Sequence, residues 1–170
     1  MQIHSGQYKG RRIKTVKNLP YRPTTSIVRK SLFDILHNIS GKSVLDLYAG
    51  TGVIGFEAAS RGAKQVTFVD SSLRVNSLLK INSTSFNYQN FHFMKKDAFS
   101  FLQSNKSYDI IFADPPYDYQ SLDKLPSKVI SSLNSDGMFI LESSPQEFSI
   151  SPYRVKDYGD TQLTFWKKNK

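Results

Sequence analysis

Ser43-Val44-Leu45-Asp46-Leu47-Tyr48-Ala49-Gly50-Thr51-Gly52-Val53-Ile54-Gly55-Phe56 is the stretch from which the fold of this chain is read. Its first six residues form a short, mostly apolar run of the kind buried on both faces of a parallel sheet. The glycines that follow permit a tight turn, and about Val53–Arg61 reads as a helix. Outward from this unit the same alternation recurs. Gln65–Asp70 reads as a strand, about Leu73–Phe86 as a helix, and Phe91–Lys95 and Tyr108–Ala113 as further strands. A helix around Leu122–Leu133 leads to a strand at Met138–Glu142. Tyr153–Tyr158 and Gln162–Lys167 flank Gly159-Asp160 as an antiparallel hairpin. Upstream, Thr24 or Thr25 can cap a helix whose apolar stripe is Ile27, Val28, Leu32, Ile35 and Leu36, with Gly41 ending it. Residues 1–20 read as a small hairpin or arm built from Gln2–His4 and Arg12–Val16. Strands alternating with helices predict an α/β fold with a doubly wound, mostly parallel sheet and an antiparallel C-terminal hairpin.

In such a sheet ligands sit at the carboxyl ends of the strands. Three successive ends carry acids: Asp46 beside the glycine turn, Asp70 closing the second strand, and Asp97 after the third. Asp70, roughly 20 residues beyond the turn, is placed to accept the ribose hydroxyls of an adenosine. Asp97-Ala98-Phe99 can take an adenine amino group between apolar neighbours. Gly50, Gly52 and Gly55 also satisfy G-x-G-x-x-G, which admits a dinucleotide. Asp46 argues against that, because a carboxylate there opposes a pyrophosphate at the helix N-terminus. S-adenosylmethionine carries an ammonium and a sulfonium, which negative charge complements. The expected cofactor set is Asp46, Ala49, Gly50, Thr51, Gly52, Asp70, Ser71, Asp97, Ala98 and Phe99. Each acid alone could be an ordinary turn or cap residue; it is the series of three that points to a site.

The fourth strand runs into Asp114-Pro115-Pro116-Tyr117. Two prolines fix the backbone and remove two N–H donors, so the loop offers acceptors: the Asp114 carboxylate and the Pro115 carbonyl. An exocyclic base amine is a poor nucleophile because its lone pair is delocalised. Two acceptors holding its hydrogens can aim the lone pair and offset the charge developing on nitrogen. Tyr117 can stack on a flipped or unpaired base. Asp114, Pro115, Pro116 and Tyr117 are therefore the candidate catalytic residues. An acid at this place suits guanine, whose N1–H and N2–H are adjacent donors, although an adenine N6 target stays open.

With 170 residues and 39% hydrophobic content, the chain is long enough for one domain with a real core. The absence of cysteine excludes disulfides and thiolate metal sites. His4, His37 and His92 show no metal-ligand spacing, and no metal is expected. No apolar run reaches membrane-spanning length and no secretory signal is visible, so a cytoplasmic chain without membrane association is expected, monomeric by default. The net charge of +9 is uneven: before Asp34 there is no acidic residue. Lys9, Arg11, Arg12, Arg22 and Arg29, with Thr24, are candidate contacts to RNA phosphates. Glu57 and Arg61 read as an i,i+4 pair, and Trp166 as core.

These features together resemble the RsmD-type methyltransferases over nearly the whole length. The resemblance rests on Ser5-Gly6-Gln7-Tyr8-Lys9-Gly10-Arg11-Arg12, on Arg22-Pro23-Thr24-Thr25 with Val28-Arg29 and Leu32-Phe33, and on the Asp46–Gly52 loop. Gly55–Ala63, Asp114–Tyr117 and Tyr158-Gly159-Asp160-Thr161 add to it. It implies a Rossmann-like, seven-stranded class I methyltransferase domain, with a basic arm over residues 1–21 and a catalytic core over 22–170. It further implies S-adenosylmethionine as donor and the exocyclic N2 of a guanine in small-subunit (16S) ribosomal RNA as acceptor, with an assembling small subunit as partner. Two positions depart from the family: Lys30 stands where Glu is usual, and Asp70 where Glu is common. An adenine-N6 methyltransferase, or a non-catalytic RNA-binding assembly factor on the same scaffold, are the competing readings.

Overall fold

The computed structural model describes residues 1–15, 24–116 and 122–169. Its centre is β1 (Ser43–Leu47), buried at every position and paired in parallel with β2 (Gln65–Asp70) on one side and β4 (Tyr108–Ala113) on the other. Burial on both faces is why these strands read as continuous apolar runs. With β3 (Phe91–Lys95), β5 (Leu133–Ser143), β6 (Arg154–Tyr158) and β7 (Thr161–Lys167), the order is β3-β2-β1-β4-β5-β7-β6. β7 runs antiparallel to both β5 and β6, as the expected C-terminal hairpin requires, and the other pairings described are parallel. The order reverses between β1 and β4, so a crevice opens at their carboxyl ends.

Among the described residues, five α-helices cover the sheet: α1 (Ser26–Leu36), α2 (Val53–Ser60), α3 (Leu73–Ser83), α4 (Ala98–Leu102) and α5 (Leu125–Ile130). One apolar layer joins α1, α2 and the arm to the sheet and holds Phe56, Phe68 and Phe86. The other lies under α4 and α5 and includes Trp166, which stacks on Phe139 and donates to the Ile150 carbonyl at 2.9 Å.

Several boundaries differ from the sequence reading, among them the end of α3, at Ser83 instead of about Phe86. α1 stops at Leu36 because His37 adopts a positive φ of 52°, ahead of Gly41. The expected helix at Leu122–Leu133 is a 3₁₀ turn, Leu122–Lys124, followed by the shorter α5 with Pro126 in its first turn. β5 begins five residues early, at Leu133. Its register on β4 shifts between Tyr108 and Ile110, where the Asn134 amide donates to Asp109 Oδ1 at 2.9 Å and Asp136 takes a positive φ. The arm forms a tight loop with a single antiparallel bridge, Gln2 to Arg12, and Val16 lies outside the described residues.

Candidate cofactor and base site

The turn after β1 reverses the chain through positive φ at Tyr48, Gly50 and Gly52. Gly52 occupies the N-cap of α2, and a Cβ there would lie 2.3 Å from Leu79 Cδ2. A Cβ on Gly55 would lie 2.2 Å from Phe68 Cε1, so this glycine lets α2 settle onto β2. The three glycines thus shape the loop and seat its helix. Two acids fasten it: the Gly55 N–H donates to Asp46 Oδ2 at 3.0 Å, and the Gly50 N–H to Asp70 Oδ2 at 3.2 Å.

Asp46 is 2% exposed, and burial pushes its carboxyl up to about 8, with the negative charge of Asp70 adding to the rise and the Gly55 N–H opposing it. Burial also raises Asp70, against the N–H groups of Ser72 and Gly50. Asp114, at the end of β4, is driven well above the usual carboxylate range by burial and then by Glu142 and Asp46, with a hydrogen bond from Thr24 opposing the rise. The acids at the ends of β1, β2 and β4 therefore feel one another. Among the described residues no lysine or arginine forms an ion pair with Asp46 or Asp70. Such a group favours a cationic ligand and disfavours a pyrophosphate. The donor set fits S-adenosylmethionine. Among the described residues, no three acids or histidines gather to hold a metal.

Beside this cluster a cavity of about 170 Å³ runs between Asp114, Pro115 and Pro116 on one wall and Ser143, Ser144, Pro145 and Gln146 on the other. Tyr117 and Arg22 lie outside the described residues. Asp97 is exposed, and its Oδ1 caps α4 by accepting from the Ser100 N–H at 3.0 Å; its second oxygen is left at the carboxyl end of β3.

The candidate RNA residues divide. Lys9, Arg11 and Arg12 are exposed, and the Arg11 guanidinium lies over the Tyr8 ring, 5.2 Å from its centre. Arg29 is not presented to a phosphate: it is 3% exposed, and Nη2 donates to the Gln2 carbonyl at 3.0 Å. The helical stripe that buries Val28 and Leu32 carries Arg29 inward with them. Thr24 is also buried, and its hydroxyl donates to Glu142 Oε2 at 2.9 Å, so it belongs to the acid cluster.

Two residues carry more than their sequence pattern suggested. Glu142 lies one residue before the end of β5, as Asp46 does in β1, and the same strand-end rule would have found it. Glu57 does pair with Arg61 at 2.9 Å, but it is fully buried and accepts as well from the His4 N–H at 2.7 Å and the Ser5 N–H at 3.0 Å. With Ser60, which accepts from the Tyr8 N–H, it fastens the arm to α2. Glu57 and Ser60 are thus the arm's anchor.

A family model described as Conserved hypothetical protein 95 matches residues 1–167. The chain is 35% identical over 157 residues to Ribosomal RNA small subunit methyltransferase D of Buchnera aphidicola from Acyrthosiphon pisum, covering 88% of this chain and 81% of that one. The namesake from Buchnera aphidicola of Baizongia pistaciae is 37% identical over 120 residues, a match spanning 69% of this chain and 61% of that relative. Among solved structures, yhhF of Escherichia coli superposes with a TM-score of 0.88 at 25% identity, covering 100% of this chain and 98% of that one. An RNA methyltransferase of Salinibacter ruber, solved with S-adenosyl-L-homocysteine, shares the fold with a TM-score of 0.72 at 17% identity over 88% of this chain and 95% of its own. The chain therefore belongs to the Conserved hypothetical protein 95 family, the RsmD family that its motifs resemble.

Proposed function

We propose that this chain is an S-adenosylmethionine-dependent methyltransferase acting on the exocyclic N2 amine of a guanine in small-subunit ribosomal RNA. The observation that carries the reading is the placing of the buried Asp46 near the end of β1 and of Asp114 just past the end of the adjacent β4, beside a cavity lined by Asp114, Pro115 and Pro116. The names of the curated relatives supply the ribosomal substrate.

When bound, the donor supplies an electrophilic methyl group on a positively charged sulfur. Asp46 and the backbone from Ala49 to Gly52 hold its amino-acid end, Asp70 and Ser71 its ribose, and Asp97, Ala98 and Phe99 its adenine. Asp114 and the Pro115 carbonyl accept hydrogens from the target amine and turn its lone pair toward the methyl group. A nearby cation draws Asp114 back toward its carboxylate form, which matches the paired N1–H and N2–H donors of guanine. That carboxylate then offsets the positive charge appearing on nitrogen. Tyr117 stacks on the base, and Lys9, Arg11 and Arg12 hold phosphates. An assembling small subunit is the natural substrate particle for such an enzyme.

The test is incubation of the chain with radiolabelled donor and either deproteinised small-subunit RNA or assembled particles, followed by nucleoside analysis. N2-methylguanosine is expected. N6-methyladenosine would overturn the guanine assignment. Transfer with neither substrate, together with full biological activity of Asp114→Ala, would favour a scaffold role.

A further inference from the structure

Two stretches of the sequence lack acidic residues: 1–33, and 71–96 between Asp70 and Asp97. The first carries the basic arm. The second comprises α3, the loop after it and β3, the edge strand of the sheet. The fold places them side by side. The Lys14 N–H donates to Asn82 Oδ1 at 2.9 Å, and the Asn82 amide returns a bond to the Lys14 carbonyl at 3.0 Å. The Tyr8 hydroxyl donates to the Asn87 carbonyl, Tyr8 packs edge-on against Phe86, and Arg11 lies over the Phe86 ring at 5.5 Å. The arm is itself fixed from below by Glu57 and Ser60, so its cations project from a rigid base.

Lys9, Arg11, Arg12 and Lys14 stand on the arm, and Arg74 and Lys80 on the exposed side of α3, the helix that the arm meets at Asn82. All six are exposed, and both contributing segments are free of acids. The opposite edge differs. There Arg154 and Lys156 on β6 stand among the exposed Asp157 and Asp160. The sign asymmetry thus runs across the sheet, and the basic segment reaches the site rim where α3 starts at Leu73, three residues after Asp70.

Resting on the proposed function, we infer that the arm and the outer face of α3 form a single RNA-docking surface. Phosphates of the folded RNA beside the target base cross Arg74 and Lys80 as well as the arm. Each phosphate contact releases counterions and contributes about 0.9 to the salt slope of binding.

The test uses the full chain and labelled, deproteinised small-subunit ribosomal RNA, with dissociation constants measured by anisotropy from low to moderate salt. Arg74→Gln with Lys80→Gln is expected to lower the salt slope by about two and weaken binding on the order of 50-fold at 0.1 M salt. Arg12→Gln with Lys14→Gln should do the same, and Arg154→Gln with Lys156→Gln should change neither quantity. Thermal unfolding and S-adenosylhomocysteine affinity should be unchanged in all three. Unchanged RNA binding in the α3 pair, with loss in the arm pair, would overturn this inference and leave the RNA reading intact. Equal loss in the β6 pair would overturn it too, since binding would then follow net charge. If the unaltered chain bound donor but neither this RNA nor assembled small-subunit particles, this inference and the RNA substrate would fall together.

Discussion

Replacing Asp46 by Asn should remove one proton from the pH dependence of donor binding. Burial keeps the Asp46 carboxyl protonated up to about 8 in the ligand-free chain. A ligand bearing ammonium and sulfonium groups favours the carboxylate, so binding below that pH expels a proton. Each pH unit below the carboxyl's midpoint then costs about 1.36 kcal/mol of affinity. From pH 6 to 7.5 the association constant should rise about 30-fold, or ~2 kcal/mol. That window stays below the titration of an α-amino group, about 7.7–8.0, so the donor's own amine remains charged. Asn keeps an acceptor for the Gly55 N–H, which lies 3.0 Å from Asp46 Oδ2, but cannot ionise. The stability of the ligand-free chain carries the opposite sign. Between the ordinary value of 3.8 and about 8, the folded chain binds more protons than the unfolded one, so stability falls as pH rises through that interval. Asp46→Asn should lose that fall. Titration calorimetry at pH 7 in two buffers of different ionisation enthalpy counts the proton directly. Parallel pH profiles for the two chains, or equal proton counts, would refute the assignment of Asp46 as the cation's partner.

Three further outcomes follow from the same geometry. Glu57→Ala leaves two arm N–H groups and the Arg61 guanidinium without their buried acceptor, so it should cost about 3–5 kcal/mol in urea unfolding and expose the arm to protease. Gly55→Ala drives a methyl group to 2.2 Å from Phe68 Cε1, and the overpacking should cost about 1–3 kcal/mol by the same measurement. Asp114→Asn should slow methyl transfer on the order of a hundredfold in single-turnover assays while S-adenosylhomocysteine still binds.

The sheet was legible because its strands are buried on both faces and bounded by turn residues; β1 to β4 lie within one residue of their expected limits. α4 escaped because five residues hold too little periodicity to register. The early start of β5 escaped because it rests on the Asn134–Asp109 hydrogen bond, a contact between segments 25 residues apart. At the site, the acids at strand ends were readable from position alone, and Glu142 obeys the same rule. Arg29 and Thr24 misled because charge and polarity suggest solvent, whereas helix phase and a buried carboxylate decide where they point. Glu57 shows the reverse: its i,i+4 partner was visible, but its arm contacts span more than 50 residues.

Phe68 acts as a mould for the ligand loop. Its ring fills the space that a side chain on Gly55 would need, and it lies 3.1 Å from where one on Gly52 would begin. The curvature of the loop is therefore cast by an aromatic ring in the interior, which itself stacks on Phe93. A larger residue at 55 is relieved by a smaller one at 68, so the two positions should be inherited as a pair although neither is assigned to the ligand.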